Sequence, residues 1–536
     1  MSKADASISC DATANASDAA ADLHGPVVPV GEATGATLAP ERSFGQKAAS
    51  GMTWLAIQTI GYKVISFFGQ VLLTHIIVPE DSAQINLALG VAAFTNFLQQ
   101  PGLREVLVQR RSRSARWDEI GLWFSVSLGI VAALLTIAAG PIAAWWFQSP
   151  NVAYLLFILA LAAPLTGLGT VPEARLQCEM RFKLLSMVEF FRATALLAIT
   201  IGLASLGWGA YAFAVPVPLM AAVRAILLWR AARPPFSWRL HVRRWKFLLT
   251  DSTVLFTASM VTLVITQGSL FVLARVAGDN ESGLYSFGYN LSLTTFALLA
   301  NNIGNVMFPM LSAMQDDPER LRASFLRSAR LLNLLGIPAC LLQGALAEPF
   351  IRVACSDKWA GSVPVLQLLS IAMAMVILWP SSRALVQAQG RYTLNLVVIC
   401  IDAVVFLGCV VTAGWLWKTG PAISCAVIIA FTFTGIFNPW VATRPLGAKF
   451  SDVLRPILLP MFVGWAGIGS AYAIAHFAIR PMLSMDLKSL LVVEGAATTV
   501  LSAILWPLIL RAVAPADFAE LMGFAARITN KLRGRR

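Results

Sequence analysis

The sequence predicts an all-α integral membrane protein of about 14 transmembrane helices, arranged as two six-helix lobes in a parallel repeat plus two C-terminal helices. Three observations predict it. Of 536 residues, 57% are hydrophobic and only 13% are charged, about half the charged share of a soluble domain. Mean hydropathy is +0.70, which a water-facing surface cannot absorb. The third observation is that the charges fall between apolar stretches long enough to cross a bilayer.

Such stretches lie near 51–77, 83–104, 120–141, 151–172, 188–206, 210–229, 252–277, 284–312, 331–348, 364–385, 393–417, 420–441, 456–478 and 488–511. Each approaches the roughly 20 apolar residues that a spanning helix needs. Lysine and arginine orient them. With the N-terminus inside, the basic segments 109–117, 173–183, 230–246 and 318–330 and the final KLRGRR all become cytoplasmic. Roughly 32 of the 41 basic residues then fall inside and about 5 outside, as the positive-inside rule requires. Both termini are expected in the cytoplasm. The net charge of +13 is thereby explained without a nucleic-acid partner. Short outward loops, the longest near 348–363, leave no room for an external catalytic domain.

Five segments follow: a disordered cytoplasmic tail at 1–43, a first lobe at 44–230, a second lobe at 231–445, a helix pair at 446–512, and a basic amphipathic tail at 513–536. The first tail is rich in Ala, Ser, Thr and Asp and has no apolar core of signal-peptide length. In the last, Phe518, Leu521, Phe524 and Ile528 share a helical face expected to lie on the cytoplasmic leaflet. The two lobes start about 200 residues apart. Thr53/Thr253, Ser82/Ser282 and Val106/Val306 are identical at that offset, and Thr59/Ser259 and Ser66/Thr266 are similar.

Polar stripes within the spans mark the candidate site. Thr59, Lys63, Ser66, Gln70 and Thr74 recur every three or four residues on one face of the first span. A lysine facing lipid at mid-bilayer costs roughly 2.5–3.5 kcal/mol, so this face is expected to line a water-filled cavity, or else Lys63 pairs with a buried acid such as Asp402 or Glu494. Asn290, Thr294, Asn301 and Asn305 form a similar stripe in the eighth span, and Ser259, Thr262, Thr266 and Ser269 in the seventh. Such residues line cavities or bridge helices. Asp402 and Glu494 are intramembrane acids suited to ion coupling. Arg192, Arg224, Arg275 and Arg383 sit near span ends and are expected to snorkel. Pro164, Pro216, Pro218, Pro309, Pro338, Pro380, Pro460 and Pro507 permit kinks. Scattered cysteines and four histidines without ligand spacing predict neither metal nor cofactor.

Several stretches carry a family likeness: GQVLLTHIIVPEDSAQINLALGVAAFTNFLQQPGLREVLVQRRS, RLQCEMRFKLLSMVEFFRA, GDNESGLYSFGYNLSLTTFALLANNIGNVMFPMLSAMQDDPERLRASF, SDKWAGSVPVLQLLSI and ALVQAQGRYTLNL. In order and spacing, across about residues 45–445, they resemble the Wzx-like polysaccharide transporter branch of the multidrug/oligosaccharidyl-lipid/polysaccharide exporter superfamily. One departure is the turn usually written Pro-x-x-Phe-Gly, where this chain has Ser82-Ala83 after Pro79. The resemblance implies a flippase of the bacterial inner membrane, not an enzyme, that carries an undecaprenyl-pyrophosphate-linked oligosaccharide outward by alternating access. It also implies inner-membrane lipids as surroundings and the polysaccharide polymerase or export machinery as partners. Lys63 would then face the pyrophosphate, and the Asn and Gln stripes the sugar hydroxyls. Alternatives within the superfamily are a lipid II-type flippase and a multidrug exporter. A different class is a membrane glycosyltransferase or polymerase using Glu80 and Asp81.

Overall fold

The computed structural model describes residues 61–97, 114–233 and 253–533, apart from Val64, Met180 and residues 483–484. The expected tail at 1–43, Thr59, and most of the basic segments 109–117 and 230–246 lie outside the described residues. All regular secondary structure among the described residues is helical.

A first helix, α1, occupies 61–63 and 65–76, and α2 spans Pro79–Phe97. There follow α3 (Ser114–Phe147), α4 (Pro150–Ala160 continuing as Ala162–Cys178), α5 (Phe182–Ser205) and α6 (Tyr211–Ala214 continuing as Pro216–Ala232). A helical run over Thr253–Phe296 is broken at Gly278, whose φ of 83° and ψ of −176° only glycine adopts without strain. It therefore forms two helices, α7 before Gly278 and α8 after it. A π-turn at Ala297–Asn301 carries α8 on to Asn302–Ser312. Then come α9 (Pro318–Ala345), the short α10 (Ala347–Ala354), α11 (Val363–Met375 and Trp379–Ala388), α12 (Tyr392–Trp417) and α13 (Gly420–Thr443). The chain ends with α14 (Phe450–Gly464, extended by π-turns to Ile479), α15 (Leu487–Val513) and α16 (Pro515–Arg533).

A helix stands at every expected span position that the described residues reach. Eleven stretches among the described residues are long and apolar enough to cross a membrane, and one of these, Phe256–Ala300, contains both α7 and most of α8.

Helix starts are punctuated by proline. Pro150, Pro216 and Pro318 each open a helix, where the missing N–H costs nothing. Asp317 also caps α9, accepting from the Arg320 N–H at 3.0 Å. Pro216 and Pro380 lie just after the breaks that divide α6 and α11, each in the first turn of the second segment. Pro309, Pro338, Pro460 and Pro507 are interior.

The repeat is visible in helix order. Starts at Pro79, Ser114, Pro150, Phe182 and Tyr211 recur as the Gly278 break, Pro318, Val363, Tyr392 and Gly420. The two halves meet along α2, which packs extensively against the 253–296 run. Contact there is close: a Cβ on Gly283 would stand 1.9 Å from the Pro79 carbonyl oxygen.

Five exposed tryptophans cluster at one end of the bundle, whereas Trp465 is exposed midway along α14. Trp145, Trp146, Trp208, Trp415 and Trp417 sit at the α3, α5 and α12 C-terminal ends and their turns. That is the same end as the turns at 77–79, 278 and 355–362, and it suits a membrane–water interface. Arg275 stacks on Trp146 there, 5.8 Å from the ring centroid. The opposite end is basic.

Two arginines expected to snorkel are instead paired. Arg224 Nη2 donates to Glu173 at 2.7 Å and its Nε to Glu189, and Arg192 Nε donates to the other Glu189 oxygen at 2.8 Å. Three helices, α4, α5 and α6, are joined by this network. Arg383 lies over Trp379 at 5.4 Å. In α16, Phe518 and Leu521 pack with Leu334, Val463 and Leu510, so protein rather than lipid covers these two side chains. Arg330 pairs with Asp517 at 3.1 Å, and Arg327 pairs with Glu520 at 2.5 Å.

Candidate functional site

The polar face of α1 opens on a cavity of about 230 Å³ between the two repeats. Ser66, Gln70 and Thr74 come from α1, Ser82, Asn86 and Leu89 from α2, Leu196 and Thr200 from α5, Phe213 from α6, and Phe287 and Asn290 from α8, with Trp359 at the end. Next to that face α1 packs tightly on α5, where a Cβ on Gly69 would come within 2.5 Å of Leu197, while Phe68 and Leu72 on the far side are exposed. That packing fixes the rotation of α1 and so aims its polar face inward.

Three residues expected from the sequence therefore meet here: Ser66, Gln70 and Asn290. Lys63 lies one helical turn before Ser66 on α1 and is half-buried. No described residue forms an ion pair with it. The expected alternative, a pair with Asp402 or Glu494, is replaced by other partners. Asp402 accepts from Thr434 Oγ1 at 3.1 Å and Asn438 Nδ2 at 2.8 Å, inside the second repeat. Glu494 lies 2.8 Å from His476 Nδ1 and 3.5 Å from Arg480 Nη1, in the α14–α15 pair. Neither acid lines the cavity. Asn301 sits in the π-turn and Asn305 in the helix after it; their side chains are outside the described ones. In α7, Thr262 and Thr266 donate to backbone carbonyls of their own helix at 2.8 and 3.1 Å, and Ser269 is buried.

Hydrogen-bonding capacity is unevenly spent around the cavity. Thr74 and Thr200 donate to carbonyls of their own helices at 2.6 and 2.8 Å. Asn86 Nδ2 donates to the Ser82 carbonyl at 2.7 Å and to Ser286 Oγ at 3.3 Å. Ser66, Gln70 and Asn290 have no side-chain hydrogen bond to another described residue, so their hydroxyl and amides remain available to a ligand. Among the described residues, none of the lining side chains is ionisable.

The cavity is shut at the tryptophan-rich end. Trp359, 2% exposed, donates its indole N–H to the Thr74 carbonyl at 2.9 Å and packs against Phe287 in a tilted ring contact, 4.5 Å between centroids. Beside it Lys358 Nζ donates to the His75 carbonyl at 3.3 Å. Burial holds the Asp81 carboxyl above the ordinary range, an effect opposed by the nearby Ala210 backbone and by Lys358. Desolvation depresses Lys358 below the usual lysine value, an effect opposed by Asp81. Gln84 Nε2 donates to Asp279 at 2.9 Å, and Glu281 accepts from the Gly420 N–H at 3.1 Å. Phe67 and Phe350 add an aromatic contact at 5.6 Å.

Sequence reasoning missed Asn86, Thr200, Phe213, Phe287 and Trp359. For Asn86 a signal existed: Ser82/Ser282 had already fixed the 200-residue offset, and Asn86/Ser286 is the next polar pair along it. Trp359 and the phenylalanines carry no such mark, being aromatic residues in apolar surroundings.

Residues 72–364 match the family of polysaccharide biosynthesis proteins. The lipopolysaccharide biosynthesis protein WzxC of Escherichia coli is 24% identical over 81% of this chain and 88% of its own length. The succinoglycan biosynthesis transport protein ExoT of Rhizobium meliloti is 25% identical over 63% of this chain and 68% of its own. Among solved structures, the lipid II flippase MurJ in an inward closed conformation superposes with a TM-score of 0.60 at 14% identity, covering 85% of this chain and 99% of MurJ. A multidrug MATE transporter of the MOP superfamily, inward-facing, gives 0.58 at 13% identity over 74% and 98%. With a family match across more than half its length and the fold of these transporters, the chain belongs to the polysaccharide biosynthesis protein family.

Proposed function

We propose that the protein is a flippase that carries undecaprenyl-pyrophosphate-linked oligosaccharide across the bacterial inner membrane, with both termini in the cytoplasm. The observation that carries this reading is the cavity between the repeats. Its wall of hydroxyls and amides suits sugar, and the same α1 face continues to Lys63, a compact cation with three donors that suits a pyrophosphate. The names of WzxC and ExoT support the same direction. The two lobes, 44–230 and 231–445, rock about the α2–α8 contact and expose the cavity alternately to each side. The positive-inside rule makes the basic end cytoplasmic, so the Trp359 seal lies on the periplasmic side.

Asp402 is the better of the two coupling candidates. It is buried within the second lobe among hydroxyl and amide donors, where a change of protonation or a bound cation would alter helix packing. Glu494 is occupied by His476 and Arg480.

Deletion of the gene, with analysis of surface polysaccharide and lipid-linked intermediates, tests the function. The expected result is loss of polymer with accumulation of the intermediate, reversed by the wild-type gene. An intact polymer profile would refute the reading.

A further inference from the structure

We infer that the cavity beneath Trp359 is a subsite for the distal sugar of the lipid-linked unit, and that it takes an uncharged sugar and rejects a uronic acid. The inference rests on the flippase reading above and specifies its cargo.

The first argument is polarity. Ser66, Gln70 and Asn290 present hydrogen-bonding groups not used by other described residues, and Phe213 and Phe287 add apolar surface. A pyranose ring offers both hydroxyl edges and C–H faces, so it matches a wall with both. The second argument is position. The pocket is closed at one end by the Trp359–Thr74 hydrogen bond, and Lys63 lies toward the other. From Lys63 to Gln70 is seven residues of α1, or roughly 10 Å along the helix axis. A molecule with its pyrophosphate at Lys63 therefore places its saccharide toward Trp359, distal end first. At about 230 Å³ the pocket holds the end of a lipid-linked saccharide, not the whole of it.

The third argument is charge. No described lining side chain is ionisable. Lys358, the cation near the seal, is turned to the His75 carbonyl and is not part of the wall. A carboxylate entering this pocket gives up water and meets no counter-charge, which is costly in proportion to its desolvation. A neutral hydroxymethyl group at the same ring position gives up less and can be satisfied by an amide.

The test uses the purified full-length protein and three short-chain polyprenyl-pyrophosphate probes: one bare, one carrying a disaccharide that ends in glucose, and one carrying the same disaccharide ending in glucuronate. The glucose-ended probe should bind tighter than the bare one. The glucuronate-ended probe should bind roughly tenfold or more weaker than its glucose counterpart. Gln70→Leu and Asn290→Leu should bring the glucose-ended probe down to the affinity of the bare one, and Leu89→Lys should restore the glucuronate-ended probe. Equal affinities for the two saccharide probes would overturn the inference while leaving the flippase reading intact. Failure of all three probes to bind would overturn both.

Discussion

Asn86 Nδ2 donates to Ser286 Oγ at 3.3 Å, and the two residues are 200 positions apart. That separation is the offset of the internal repeat, so each residue touches its own counterpart. A contact between equivalent positions can lie only on the axis that relates the two halves, as at a twofold dimer interface. The axis thus passes between α2 and α8. The hydrogen bond sits beside the cavity, where the rocking proposed above would move its two partners least.

Gly283 should tolerate no side chain at this axis. Gly283→Ala places a methyl against the Pro79 carbonyl oxygen, separated by 1.9 Å without movement, and forces α2 and α8 apart. We expect a loss of about 1–3 kcal/mol, read as a lower melting temperature in detergent. Gly408→Ala, with nothing within 4 Å, should leave the melting temperature unchanged or raise it. Equal behaviour of the two variants would argue against a tight axis.

Loss of the Trp359 indole should release the seal. Trp359→Phe removes the N–H that the Thr74 carbonyl accepts and leaves that buried acceptor less satisfied, worth about 1–3 kcal/mol. The population open at this end should rise tenfold or more. A cysteine placed at Leu89 and challenged with a membrane-impermeant thiol reagent from outside the cell measures it. Labelling unchanged by Trp359→Phe would show that the seal lies elsewhere.

Lys63→Ala should abolish or strongly reduce polysaccharide export while the protein still inserts in the membrane, as judged by immunoblot of the membrane fraction. Lys63→Arg should retain more activity, since charge is preserved but the compact ammonium is not. Normal polymer from the alanine variant would remove Lys63 from the transport path.

Arg224→Met should destabilise the first lobe by about 3 kcal/mol, because Glu173 and Glu189 are left without their shared partner. Adding Glu173→Gln and Glu189→Gln should recover most of the loss. Thermal melts of the single and triple variants decide the point; an additive decline would rule out a coupled network.

Asp81 gives a pH signature. Its folded-state value is raised by burial above the ordinary 3.8, so the folded protein binds the proton more tightly than the unfolded chain does. Its contribution to stability is greatest at low pH, falls as pH rises from 3.8 through the folded-state value, and is flat above it. Asp81→Asn should remove that fall. Melting curves of both proteins across the acid range, compared as differences, show whether it is present.

Much of this architecture was legible in the sequence because the bilayer imposes it. Apolar runs and basic loops are one-dimensional signals, and they located the helices. The stripe from Lys63 to Thr74 was legible for a similar reason: polar residues are expensive in lipid, so a polar face must point somewhere else. What escaped was pairing between distant helices. Arg224 reads as a long side chain near a helix end, and nothing local names Glu173 or Glu189, which lie 51 and 35 residues away. Trp359 escaped likewise, since its role comes from a carbonyl 285 residues earlier. The tail helix was recognised as amphipathic, but amphipathicity alone does not tell a lipid surface from a protein groove.

The fastening of that tail has a practical meaning. Arg330 and Arg327 bind α16 to α9 through Asp517 and Glu520, so under the proposed rocking the C-terminal helix would travel with the second lobe. A dye attached near its end is a pointer fixed to one moving half of the machine. Paired with a second dye on the first lobe, it would turn each swing of the transporter into a countable change of colour, one molecule at a time.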